Sequence, residues 1–437
     1  MPRSTDTIAQ YLNRYSETDA IAVAGRVPEG SWEFAVALPL CGEYEGVFPL
    51  IESIGRAAVQ ANARVLVIAL INARRDHPAE ILRANQRLWE LWSDGVTIGT
   101  EPPARFTQKD LSILAVSRTF ETKQGVGLAR KFVLDAALSL FHKQCLLNPI
   151  VLTTDGDAQI DPNTFSLLRA QQPRGVGCFL FHYLHDVDKT HAALSIYELS
   201  LRYYRLGLAH AGSPCAFHTL GSTLAIPLSS YAEVRGFPDL QAAEDFYILS
   251  KLAKVGEIRS IPGTIHLMPR TSDRVPFGTG VGTAGVQAWL DEGREPEFYA
   301  PASFEILKTL MQSLAKIVDA SSPETIWNVF LNNSAENRAL AMSVAKQRGL
   351  HKQLEIAFAT RPRPEDRLRH MHTWFDAFHT LKWIHALRDG GLPKIPWRRA
   401  LRENSFLQID DAACPFLALE HARRIDLSHY GLLYDPS

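Results

Sequence analysis

Residues 34 to 41 (Phe-Ala-Val-Ala-Leu-Pro-Leu-Cys) form a short unbroken apolar run stopped by Gly42, the pattern of a strand buried on both faces. Beyond it Phe48, Ile51, Ile54, Ala58 and Ala61 recur every three or four residues, which predicts a helix. Arg64 then leads into Val65-Leu66-Val67-Ile68-Ala69-Leu70, a second buried strand, so the chain opens its core with a βαβ unit. His77-Pro78 starts another helix with Pro at its first position, apolar at Leu82, Leu88, Trp89 and Trp92 and stopped at Gly95; the two tryptophans read as core. The alternation continues with a strand over 111–116, a helix over 128–141, a strand over 150–154 and a helix opened by Asp161-Pro162. Strands separated by helices in this way predict an α/β fold: a mostly parallel sheet flanked by helices.

Farther on, a strand is expected over 176–183, then a long helix through Leu194, Tyr197, Leu201, Tyr204 and Leu208 and a Gly- and Pro-bearing stretch over 212–227. A helix over 244–255 and a strand over 257–261 follow, whereas 262–285 has no periodicity and reads as a long loop of the kind that usually carries function. From about Phe298 only helical patterns remain, as in Ile306, Leu307, Leu310, Leu314 and Ile317, and Trp374, Phe375, Phe378, Trp383 and Ile384 recur at the spacing of a packed bundle. The expected organisation is an N-terminal extension (1–33), an α/β domain (34–290) and a C-terminal all-helical module (291–437). No apolar stretch reaches the ~18 to 20 residues of a spanning helix, and the polar N-terminus with Arg3, Asp6 and Arg14 lacks the core of a signal peptide. The expectation is a cytoplasmic protein.

Composition narrows the partners. With 46 Lys plus Arg against 47 Asp plus Glu, no excess of one sign points to a polyanion, and a nucleic-acid partner is not expected. Cys41, Cys145, Cys178, Cys215 and Cys414 are odd in number and never form a CxxC pair, which argues against a disulfide framework and against a thiolate zinc site.

The chemistry concentrates at Asp155-Gly156-Asp157. Two carboxylates at i and i+2 follow an apolar strand at its carboxyl end, where open α/β sheets bind ligands. Mg²⁺ and Mn²⁺ prefer such oxygens together with substrate phosphates, and Gly156 would let a sugar or diphosphate approach the backbone. The plainer reading is a surface turn whose acids cap the next helix. A second acidic pair, Glu244-Asp245, opens a helix after the turn Gly236-Phe237-Pro238; the helix dipole alone would select carboxylates there.

Taken in order, these pieces resemble a family-two glycosyltransferase of the GT-A fold. Pro39-Leu40-Cys41-Gly42-Glu43 stands where that family has a Pro-x-Tyr-Asn-Glu element. Gly125-Val126-Gly127-Leu128-Ala129-Arg130 is similar to its Gly-x-x-x-Ala-Arg element, Asp155-Gly156-Asp157 to its DxD motif, and Gly236-Phe237-Pro238 with Glu244-Asp245 to its Gly-Gly-Phe…Glu-Asp element. The likeness covers roughly residues 34 to 285. Cys41-Gly42 replace the usual Tyr-Asn, and the second strand ends Leu70-Ile71-Asn72-Ala73-Arg74 where the family carries paired acids, so the base of the donor is left open.

The resemblance implies transfer of a sugar from a nucleotide-diphosphate donor to a hydroxyl acceptor, with inversion. Asp155 and Asp157 would hold Mn²⁺ or Mg²⁺, Asp245 would be the general base and Glu244 its support. Pro39, Glu43, Asn72, Asp155 and Arg130 would meet the donor, joined by Arg270 and Arg274 from the long loop acting as a lid. His266 is a candidate third metal ligand, and His218 and Ser222 are candidate acceptor contacts. A retaining transferase would use the same metal site. A sugar-1-phosphate nucleotidyltransferase would want a basic Gly-rich loop after the first strand, where Gly42-Glu43-Tyr44-Glu45-Gly46 is acidic. A non-catalytic nucleotide-sugar binder would be expected to lack Asp157 or Asp245.

Overall fold

In the computed structural model, residues 4–25, 31–92, 104–108, 110–269, 279–334, 337–409 and 414–430 are described. The expected stop at Gly95 and the lid residues Arg270 and Arg274 lie outside them. Two compact units result, residues 1–186 with 219–281 and residues 187–218 with 282–437.

The strands of the first unit are β1 (Phe34–Leu40), β2 (Val65–Arg74), β3 (Ala104–Gln108), β4 (Leu111–Phe120), β5 (Ile150–Thr153), β6 (Ala158–Ile160), β7 (Val176–His185), β8 (Leu224–Pro227) and β9 (Glu257–Leu267). They form one sheet in the order β3-β4-β2-β1-β5-β8-β7-β9-β6. Strands β1, β2, β4, β5, β7 and β9 share one direction, and β3, β6 and β8 run the other way. A mostly parallel sheet flanked by helices, together with a helical C-terminal region, is consistent with a GT-A-like fold.

Along the chain the helices of this region are α1 (Ser4–Arg14), α2 (Thr18–Gly25), α3 (Val47–Ala61), α4 (Ala79–Trp92), α5 (Val126–His142), α6 (Thr164–Arg169), α7 (Ala192–His210), α8 (Leu228–Glu233) and α9 (Glu244–Leu252). Because strand side chains alternate between faces, Phe34, Val36, Leu38 and Leu40 of β1 and Val65, Val67, Ala69 and Ile71 of β2 share a core with α3, α4 and α6. Helix α5 packs on β1, β2 and β5 and also touches α1, α2 and α9. It is buried almost along its whole length, including Arg130, Lys131 and Asp135.

Three features depart from the sequence reading. The segment 262–285 is not one loop: β9 continues through Pro262 and Gly263 to Leu267, with a register shift opposite Phe181/His182, and a helix begins at Thr279. A bulge is where a strand tolerates Pro and Gly. Residues 1–33 contribute α1 and α2, with Tyr11 and Tyr15 against α5. Residues 187–218, including α7, group with the C-terminal helices.

Those helices are α10 (Thr279–Asp291), α11 (Pro301–Ala315), α12 (Pro323–Asn333), α13 (Arg338–Gln347), α14 (Leu350–Thr360), α15 (Pro364–Trp374), α16 (Ala377–Gly390), α17 (Trp397–Glu403) and α18 (Pro415–Ser428). A two-stranded ribbon, β10 (Glu297–Phe298) with β11 (Ile395–Pro396), interrupts the all-helical pattern. The core of this unit runs from Ile196 and Tyr203 of α7 through Leu310, Trp383 and Trp397 to Leu419.

Candidate active site

Strand β5 ends at Thr153, and the chain turns back at once, with the Ala158 amide donating to Asp155 O (3.1 Å). Asp155 and Asp157 are both half-buried on this turn. Gly156 is not open space for a ligand, as its lack of a side chain suggested. A Cβ there would lie 2.7 Å from Glu43 Oε2 and 2.8 Å from Leu40 Cδ2, so Gly156 makes room for Glu43.

Glu43 belongs to the loop after β1, which is tied down by two asparagines. The Gly42 amide donates to Asn85 Oδ1 (2.8 Å), Asn85 Nδ2 donates to Asn72 O (2.8 Å), and Asn72 Nδ2 donates to Leu40 O (2.9 Å). Asn72 is buried and holds β2 to the end of β1, where Pro39 pairs with Leu70. Arg87 stacks over the Tyr44 ring at 3.9 Å. Beside this loop a cavity of about 200 Å³ is lined by Asn85, Trp89, Ser117, Arg118 and Thr119 among others. The buried indole N–H of Trp89 has no hydrogen-bond partner among the described residues.

The acidic pair reaches the turn after β5 through Arg130. Its guanidinium donates to Asp155 Oδ1 (2.6 Å), to Glu244 Oε1 (2.9 Å) and to Thr153 Oγ1 (2.9 Å). With a side chain only 3% exposed, it is spent on protein oxygens, whereas the sequence suggested donor phosphates. Burial works against its charge, but Asp155 and Glu244 outweigh that and hold it protonated.

Asp245 accepts from the Gly221 amide (3.0 Å) and from its own neighbour's amide, Phe246 (2.7 Å). Burial and the adjacent Glu244 raise its pKa to about 7, against the opposing effects of Arg130 and the two amides. The approach to this pair explains the glycines at the start of α5. A Cβ at Gly127 would collide with Pro238 O, and the Gly127 amide donates to Leu240 O (3.0 Å), so the segment leading to Glu244 crosses the first turn of the helix that carries Arg130. Ala243, just before Glu244, sits in the left-handed region at φ 62°.

The remaining candidates are dispersed. His266 lies between Asp161 (3.6 Å) and Asp186 (3.5 Å), and these carboxylates raise its pKa to about 9. A protonated ring has no lone pair for a metal, so a ligand role would require displacing both acids. Asp161 also accepts from the Thr264 amide (2.8 Å), which is its use in place of a helix cap. Ser222 is buried in the turn Gly221–Thr223. His218 belongs to the second unit, where its Nε2 is 2.8 Å from buried Asp426.

No group of three or more His, Cys, Asp or Glu side chains able to hold a metal occurs among the described residues. Asp155 and Asp157 are two carboxylates on one turn, and Asp155 Oδ1 is taken up by Arg130 (2.6 Å). No described helix is long and apolar enough to cross a membrane. Sequence signals missed Thr153 and Gly221, which touch the site by a short hydroxyl and a bare backbone; Gly221 fell in a stretch marked only as Gly- and Pro-bearing.

No protein family profile matches the chain, and no curated protein is similar to it. Among solved structures it is similar to residues 1–349 of S. aureus TarS in complex with UDP-GlcNAc, at 14% identity over 91% of this chain and 89% of that one, with a TM-score of 0.34. A structure of S. aureus TarS aligns at 12% identity over 78% and 55%, TM-score 0.32, and a mycobacterial protein at 14% over 64% and 82%, TM-score 0.29. At values this low, function rests on the geometry of the chain itself.

Proposed function

We propose that this protein is a glycosyltransferase that moves a sugar from a nucleotide-diphosphate donor to a hydroxyl acceptor. The observation that carries the reading is the junction at Arg130, which brings Asp155 and the Glu244-Asp245 pair to one place at the tips of the strands. In this reading Asp155 and Asp157 hold Mn²⁺ or Mg²⁺, and the ion would supply charge to the leaving diphosphate. Asp245 takes the proton from the acceptor hydroxyl, and its raised pKa suits a base working near neutrality. Glu43 and Pro39 shape the donor floor beside the metal turn. Asn72 keeps that floor in register with β2, and the cavity lined by Trp89, Ser117 and Thr119 is proposed to take the donor's base. Arg270 and Arg274 are proposed to meet the diphosphate from the segment after β9.

The test is to incubate the protein with a panel of nucleotide sugars, with and without Mn²⁺, and follow release of nucleotide diphosphate. Metal-dependent release that disappears in Asp157→Ala supports the reading. Release of pyrophosphate from a nucleoside triphosphate would instead identify a nucleotidyltransferase.

A further inference from the structure

The Arg130 side chain is buried and fully engaged by its neighbours. Its three nitrogens engage three different oxygens, from the end of β5 (Thr153), from the metal turn (Asp155) and from the first turn of α9 (Glu244). A bidentate fork can span such groups where a lysine could not. The guanidinium also fills the space over Gly221, where a Cβ would collide with it, and the amide of Gly221 holds Asp245.

We infer that Arg130 is a positioning residue that fixes the placement and surroundings of Asp245 through Glu244 and Gly221, and does not bind donor. This deepens the glycosyltransferase reading above and rests on it for its kinetic consequence. The charged groups around Asp245 are Glu244 on its own helix and Arg130 from α5. Glu244 disfavours the ionised carboxylate and Arg130 favours it. Replacing Arg130 by a neutral side chain removes the cation that favours the ionised carboxylate, so Asp245 holds its proton more tightly.

The experiment follows the carboxyl carbons of aspartate in isotope-labelled, metal-free full chain as pH is raised, the Asp245 signal being the one absent from Asp245→Asn. In Arg130→Gln the Asp245 titration is expected to move up by about one pH unit, the usual effect of removing an opposite charge within ~4–6 Å. Arg130→Lys, which keeps the charge, should move it by much less. If Arg130→Gln does not fold by circular dichroism, Gly221→Ala, which displaces the guanidinium, should move it in the same direction. An unchanged titration in a folded variant overturns the inference. With a donor found by the panel, the acid limb of the kcat profile should shift equally in Arg130→Gln; an unmoved limb overturns the inference too. A shifted titration in a protein that turns over no nucleotide sugar sustains the inference and removes the function on which its kinetic arm rests.

Discussion

At the scale of single residues, the proposed function turns first on Asp245. Asp245 is pushed up to about 7 by burial and by Glu244, and in the proposed role of general base it would work only when deprotonated. The rate of transfer should therefore fall about tenfold for each pH unit below that value and level off above it, a profile measurable in kcat with any accepted donor. Asp245→Asn should remove this dependence along with most of the activity, by ~10²-fold or more, while leaving calorimetric binding of nucleotide diphosphate unchanged. Equal loss of binding and turnover would mean that Asp245 holds donor and not acceptor. Asp157→Ala should do the reverse, weakening metal and donor binding together.

At the scale of elements, α5 determines how the site is assembled, and α1 and α2 stabilise α5. Asp135 is fully buried and accepts from Tyr11 Oη (2.7 Å), Lys131 Nζ (2.6 Å), Tyr231 Oη (2.8 Å) and the Glu17 amide (2.7 Å). Asp135→Ala leaves a buried lysine without its counter-ion, which costs roughly 3–5 kcal/mol. Urea unfolding should show that loss, and limited trypsin digestion should then release α1 and α2. Most of these elements could be read from the sequence. The two-faced apolar runs of β1 and β2, the 3.6-residue periodicity of α3 and the carboxylates past β5 are local signals. What could not be read was set by distant partners. Strands β6 and β8 are too short to show a period, and they exist because β9, β5 and β7 supply their hydrogen bonds. Arg130 is expected from the resemblance to meet the donor, yet it is buried against Asp155 and Glu244, and Asp135 of the same helix against Tyr11, partners that lie far off in the sequence. Pro262 looked like the end of β9 because its bulge is defined by the partner strand.

At the scale of the whole molecule, the described residues include one core around β1 and β2 and another around α7 and the C-terminal helices, with no residue common to both. In the second unit α7 and α18 are joined by buried charge: Asp426 meets Arg205 (3.0 Å), Arg202 and His218, and Arg423 meets Glu198 (2.6 Å). Despite its burial, the hydrogen bond from His218 and the charges of Arg202 and Arg205 hold Asp426 well below the usual carboxylate range, whereas burial lowers the pKa of His218. Both shifts act in one direction. The contribution of a depressed carboxylate is complete above its unfolded value and is lost as pH falls below about 4, and a histidine kept neutral by burial loses its contribution below about 6.5. Acid should thus weaken this unit. Asp426→Asn should destabilise it by ~3–5 kcal/mol, since Arg202 and Arg205 lose a buried counter-ion. Separate cores predict two denaturation transitions, and hydrogen exchange should show the variant losing protection in 187–218 and 282–430 at denaturant concentrations where β1, β2 and β4 are still protected. A single transition that moves as a whole in Asp426→Asn would show that the two cores unfold as one cooperative body.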